Sequence, residues 1–144
     1  MKTNRGFSLL ELLIVVAIIL IIATIAIPSF LRSRQTANES AAVASMRLII
    51  TAQLAYSSSN AGLYGSIADL VSSGQVDERF STGAKGYNYT VTLSGGSTDY
   101  TALATAVTPT LGRYDYYVVQ DLVIRYSTDS ARAPAGLAGE PVRN

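Results

Sequence analysis

Glu11 is the residue whose type and position ask for chemistry. It is the one charged side chain between Phe7 and Ile27, a run otherwise made of aliphatic and small residues. An ionised carboxylate at membrane depth costs on the order of several kcal/mol even after snorkelling and water penetration. What such a group can do is pair with a cation brought to it, which offsets two desolvation costs and fixes an axial register. The plainer alternative is a carboxylate that snorkels to the interface, since Phe7 lies only about one helical turn away. No cation stands beside Glu11 in the sequence as written.

Other chemistries are narrowed by composition. The chain has 144 residues with no cysteine and no histidine, so a thiol nucleophile, an imidazole base, a haem ligand and the common zinc sites are absent. Glu39, Asp69, Asp77, Glu78, Asp99, Asp115, Asp121, Asp129 and Glu140 are scattered over loops and strands with no marked pair, and read as solvated surface charge. No phosphate-binding glycine loop occurs. The reading is of a protein that is not an enzyme and needs no cofactor. A formal charge of +1 gives no support to nucleic-acid binding. Nine tyrosines could form an adhesive or charge-carrying surface, but on strands tyrosine is favoured because it fits a half-buried pleat. Asn38-Glu39-Ser40 and Asn88-Tyr89-Thr90 fit the N-glycosylation pattern by chance, both inside regular structure.

The element that must position Glu11 is long. Phe7 to Ile27 would extend about 31 Å as a helix, enough to cross a bilayer's hydrocarbon core. It exceeds the short apolar region of a secretory signal, and no small-residue cleavage site follows it. Lys2 and Arg5 on one side nearly balance Arg32 and Arg34 on the other, so charge alone leaves orientation open. Pro28 removes a backbone donor and should kink or loosen the helix. Helical sequence nevertheless continues to about Ser58, with Val43, Met46, Ile50 and Leu54 as an apolar stripe and Ala41, Ser45, Leu48, Ala52 and Ala55 as a smaller-residue face.

Beyond a Gly62 to Gly65 linker, Ser66-Ile67-Ala68-Asp69 predicts a capped short helix ending at Gly74, and Asp77 to Gly86 a loop. Alternation then predicts strands. Tyr87 to Leu93 and Tyr100 to Val107 flank a Gly95-Gly96-Ser97 turn, and Tyr114 to Val119 and Leu122 to Ser127 make a second hairpin. The tail from Ala131 to Asn144 has no regular pattern.

The order of parts at the start, a short basic leader ending in Gly6, then Phe7-Ser8-Leu9-Leu10-Glu11 and an apolar helix, resembles the class III signal of type IV pilins and pseudopilins. The resemblance is specific over about the first thirty residues and architectural beyond Arg34. It implies cleavage between Gly6 and Phe7 by a prepilin peptidase, N-methylation of Phe7, and an orientation with the leader in the cytoplasm. It also supplies the missing cation, because the new amine of Phe7 on a neighbouring subunit would pair with Glu11 during assembly. Glu11 and Pro28 are the expected assembly residues.

The implied architecture is α+β: a leader at residues 1–6, a long helix at 7–58 with 7–27 as membrane span and filament core, and a head at 59–144 with a four-stranded antiparallel sheet packed on the helix. The implied function is a structural subunit, a major pilin, held in the inner membrane with its head in the periplasm and then assembled into an extracellular helical filament. Its partners would be identical subunits, the peptidase, an inner-membrane assembly platform and separate cytoplasmic ATPases. Such filaments serve motility, adhesion or DNA uptake. A type II secretion pseudopilin shares the same start, and a monomeric membrane-anchored binding domain is the reading from another class. Related pseudopilins can bind calcium in C-terminal loops, and Asp121 and Asp129 flank such a region, but no Asp-x-Asp-x-Asp-Gly spacing occurs and no metal site is expected. Many pilins close a C-terminal loop with a disulfide, and a chain without cysteine departs from that pattern.

Overall fold

Aliphatic residues without a glycine between Phe7 and Asn60 give a helix with no internal stop, and α1 spans Leu9–Ser59, 51 residues. The computed structural model describes residues 7–127 and 139–143. Two units are separated after Arg34, although α1 runs through the boundary. Pro28 lies inside the helix and does not end it. Having no N–H, it leaves the carbonyl of Thr24 without its usual helical donor, while the Thr24 hydroxyl donates to the Ile21 carbonyl at 2.7 Å.

In the second unit the buried face of α1 is Glu39, Ala42, Met46, Ile49, Ala52 and Gln53. The predicted stripe is therefore rotated by about one residue. Met46 is buried, Val43 and Ile50 are partly buried against the core, and Leu54 is exposed. Ala52, placed on the smaller-residue face, belongs to the buried one.

Ser66 caps α2 (Ile67–Ser72) through the expected capping box, accepting from the Asp69 N–H at 3.2 Å while Asp69 accepts from the Ser66 N–H at 2.8 Å. The predicted loop after Asp77 contains a turn of helix, α3 (Arg79–Thr82), whose start is held by the Asp77 carboxylate accepting from the Arg79 N–H at 3.0 Å. Phe80 is the reason the turn exists. It is buried and tilts against Tyr89 at 5.3 Å between ring centres.

Among the described residues the sheet has five strands, not the four expected: β1 (Tyr87–Ser94), β2 (Asp99–Ala106), β3 (Tyr116–Val118), β4 (Arg125–Tyr126) and β5 (Glu140–Pro141). They lie in chain order and every neighbouring pair is antiparallel. The fifth strand comes from the tail that sequence left irregular, and residues 131–138 of that tail lie outside the described residues. Its signal is too short to read, two residues with a proline among them. Successive positive φ at Gly95, Gly96 and Ser97 turns β1 into β2.

Tyrosines fill the core as the pleat argument required: Tyr87, Tyr89, Tyr100, Tyr116 and Tyr117 are buried. Burial raises the Tyr100 phenol to about 12, with the neighbouring Tyr64 and Asp121 adding to it, and burial likewise raises Tyr116, with Glu39 the next cause. A raised folded-state pKa means that stability from these groups is complete below about pH 10, the ordinary phenol value, and is lost as pH climbs towards and through the folded values. Loss of near-ultraviolet circular dichroism should therefore begin above about pH 10, and Tyr100→Phe should move that onset upward.

Tyr87 also fixes a glycine. Its hydroxyl donates to the Tyr114 carbonyl at 2.8 Å, and a Cβ at Gly112 would collide with that hydroxyl. Gly112→Ala is expected to cost about 2 kcal/mol by overpacking, measured as a lowered thermal midpoint. Tyr87→Phe in the same chain should restore part of the loss.

Candidate processing and assembly site

Position 11 is the third residue of α1, and Ser8 stands at its cap. Ser8-Leu9-Leu10-Glu11 thus has the spacing of a capping box, and the Ser8 N–H points at the Glu11 carboxylate, 3.5 Å away. This is one long contact, and the carboxylate is otherwise open to a stronger cationic partner. It is a local role that the sequence reading missed, although the Ser-x-x-Glu pattern was there to find. Phe7 precedes the cap and is exposed, while Gly6 lies outside the described residues.

Around this start the helix is apolar on every side. Phe7, Leu9, Leu10, Leu13 and Ile25 are all exposed, and the segment is long and apolar enough to cross a membrane. Such a surface has two ways to avoid water, lipid or other apolar helices. Pro28 belongs to the same unit and helps line a shallow hollow with Leu20, Ala23, Thr24 and Ile27. The structure does not bring Pro28 and Glu11 together, since both lie along one helix.

The second unit holds a polar feature that sequence reasoning misread. Three side chains of one helix face grip the connection between β2 and β3. Gln35 donates to the Pro109 carbonyl at 2.7 Å, and Asn38 donates to the Leu111 carbonyl at 2.9 Å. Glu39 accepts from the Arg113 main-chain N–H at 2.8 Å, from Nε at 3.1 Å and from Nη2 at 2.9 Å. Glu39 is buried rather than the solvated charge expected, and its hydrogen bond and charge raise the Arg113 guanidinium. At the other end of the face, buried Gln53 donates to the Gly65 carbonyl at 2.7 Å and accepts from its N–H at 3.0 Å. The signal was the spacing: these positions continue the buried row of Ala42, Met46 and Ile49 at three- and four-residue steps.

Asp121 pairs instead with Arg125 at 2.5 Å, and its carboxylate is lowered by that hydrogen bond. Asp129 lies outside the described residues, and among those described no group of acidic residues is arranged to hold a metal ion. Asn38 is engaged by Leu111, whereas Asn88 is exposed on β1.

Residues 1–27 match the family described as the prokaryotic N-terminal methylation motif. That motif stands at the start of a long helix whose second half carries an antiparallel sheet. The chain is 35% identical over 109 residues to the type IV major pilin protein PilA of Myxococcus xanthus, covering 76% of this chain and 46% of that one. It is 38% identical over 74 residues to the type IV wide pilus major component PilA4 of Thermus thermophilus, covering 51% of this chain and 56% of that one. The chain spans about half the length of these curated relatives. No solved structure matches it. Motif, fold and the two similarities together make the chain similar to type IV pilins.

Proposed function

We propose that the chain is a major structural subunit of a type IV pilus, anchored in the inner membrane by α1 and then packed among its own copies in an extracellular filament. The observation that carries this reading is the exposed apolar half of α1 with one acid near its start. Neighbouring helices can replace lipid around that surface, so apolar burial persists while its surroundings change. In this reading the peptidase cuts after Gly6 and methylates Phe7. The ammonium of one subunit meets Glu11 of another, and Pro28 loosens the helix enough for it to adjust to packing. Residues 7–27 form the span and filament core, and the head carries whatever the filament presents outside. The assembly platform and the ATPases that drive extraction are separate proteins.

Two similarities to pilus components support the major-pilin reading over the pseudopilin. Shearing cells and probing the released fraction for this chain tests it. Long filaments containing the chain, lost on deletion, are the expected result. Absence of filaments beside a secretion defect would move the assignment to a pseudopilin.

A further inference from the structure

The two edges of the sheet are treated differently. At one, β5 is two residues long and carries Pro141, whose missing N–H and ring block further pairing. At the other, β1 is eight residues long, continuously paired with β2, and carries no charge, no proline and no bulge. Natural sheets usually protect an edge of this kind.

The phase of the ladder shows which groups are open. Val107 donates to the Gly86 carbonyl at 2.9 Å, so Asn88, Thr90, Thr92 and Ser94 turn their backbone groups towards β2. Tyr87, Tyr89, Val91 and Leu93 turn theirs outward. The chain itself closes the first of these, with Tyr87 N–H to the Ala84 carbonyl at 3.0 Å and the reverse bond at 2.9 Å. Among the described residues, the outward N–H and carbonyl groups of Tyr89, Val91 and Leu93 have no partner. A groove of about 360 Å³ runs beside them, bordered by Ser66, Ile67, Ala68 and Ser81.

We propose that this edge pairs with β1 of a second copy of the chain, antiparallel and centred on Val91. The open set is symmetric about that residue, so a two-fold axis there sets Val91 against Val91, and Tyr89 against Leu93, of the second copy. Each such pair exchanges two hydrogen bonds. The side-chain pattern is self-complementary as well. Tyr89, Val91 and Leu93 continue the half-buried face across the junction, and exposed Thr90 falls opposite Thr92 of the second copy as a close non-hydrogen-bonded pair. An uncharged strand meets its own copy without repulsion, whereas a charged peptide would find no counter-charge on β1. The paired chains point in opposite directions. Resting on the filament reading above, this contact would join separate filaments rather than neighbours within one.

The chain has no cysteine, so introduced thiols report the register unambiguously. Full-length T90C and T92C chains, purified in detergent, are mixed and oxidised. The mixture should give at least about tenfold more crosslinked dimer than either chain alone, because only Thr90 and Thr92 face each other closely. A T90K/T92K chain should lose self-association in sedimentation, and T90K/T92E should restore it, with circular dichroism unchanged in both. Crosslinking that ignores register, an absence of crosslinks, or self-association untouched by the paired lysines would each overturn the proposal. Because no assembly machinery is present, these outcomes are independent of whether the shearing experiment finds filaments.

Discussion

Replacing Glu11 by glutamine is expected to abolish surface filaments while the chain is still cleaved after Gly6 and methylated on Phe7. Glutamine keeps an acceptor for the Ser8 N–H, so the start of α1 persists, but it removes the charge. On the proposed pairing, an ammonium entering the apolar helix bundle then has nothing to pair with, and leaving a buried charge uncompensated costs about 3–5 kcal/mol. At about 1.4 kcal/mol per factor of ten, that is a loss of more than roughly a hundredfold in incorporation. The sheared fraction, probed for the chain, measures it, and mass spectrometry of the membrane fraction shows whether Phe7 is free and methylated. Glu11→Ala removes the cap contact too and should look the same if charge is what matters. Normal filaments from the glutamine variant would mean that Glu11 serves only the helix start.

Glu39→Ala is expected to destabilise the head by about 3 kcal/mol, more than Arg113→Ala, which should cost about 1–2 kcal/mol. The order follows from where the bonds go. Glu39 holds both the side chain and the main-chain N–H of Arg113, and the Arg113 side chain is 52% exposed while that of Glu39 is 8% exposed. Removing the arginine leaves the carboxylate its main-chain donor and opens it to water. Removing the glutamate strands a part-buried N–H and frees the connection that Gln35 and Asn38 also hold. Thermal midpoints of the two variants and of the double variant give the comparison, and the double should cost less than the sum. An arginine variant as unstable as the glutamate variant would show that the ion pair, not the main-chain anchor, carries the energy.

The contrast between these acids marks what a sequence can disclose. Glu11 was conspicuous because everything around it is apolar, so one residue against a uniform background defined a site. Glu39 was not, because its burial depends on a main-chain donor 74 residues away, and nothing local distinguishes it from a surface charge. The long strands were legible for the same reason as Glu11. Eight alternating residues in β1 make a period, and the strand predicted over Leu122 to Ser127 contains β4, whereas the two residues of β5 make no period. The rotated stripe on α1 has a simple cause. Weighing only apolar residues favoured Leu54, while the true inward face includes Glu39 and Gln53, polar groups whose bonds are satisfied inside. α3 was hidden by scale, being one turn pinned by Phe80 and by the hydrogen bond from the Arg79 N–H to Asp77.

The strand order carries a consequence for how the head is made. Each strand from β1 to β5 lies beside the one synthesised just before it, so pairing needs only sequence-local loops to close. In the proposed membrane-anchored state, a chain whose helix is already held in a bilayer can lay down its sheet ribbon by ribbon as it emerges. Among the described residues, the hydrogen bonds that reach furthest back in the chain return to the helix, at Gln35, Asn38 and Glu39, and they close the loop after β2 once that loop has arrived. Translocation and folding can then proceed in the same direction, with little apolar sheet left waiting for a distant partner.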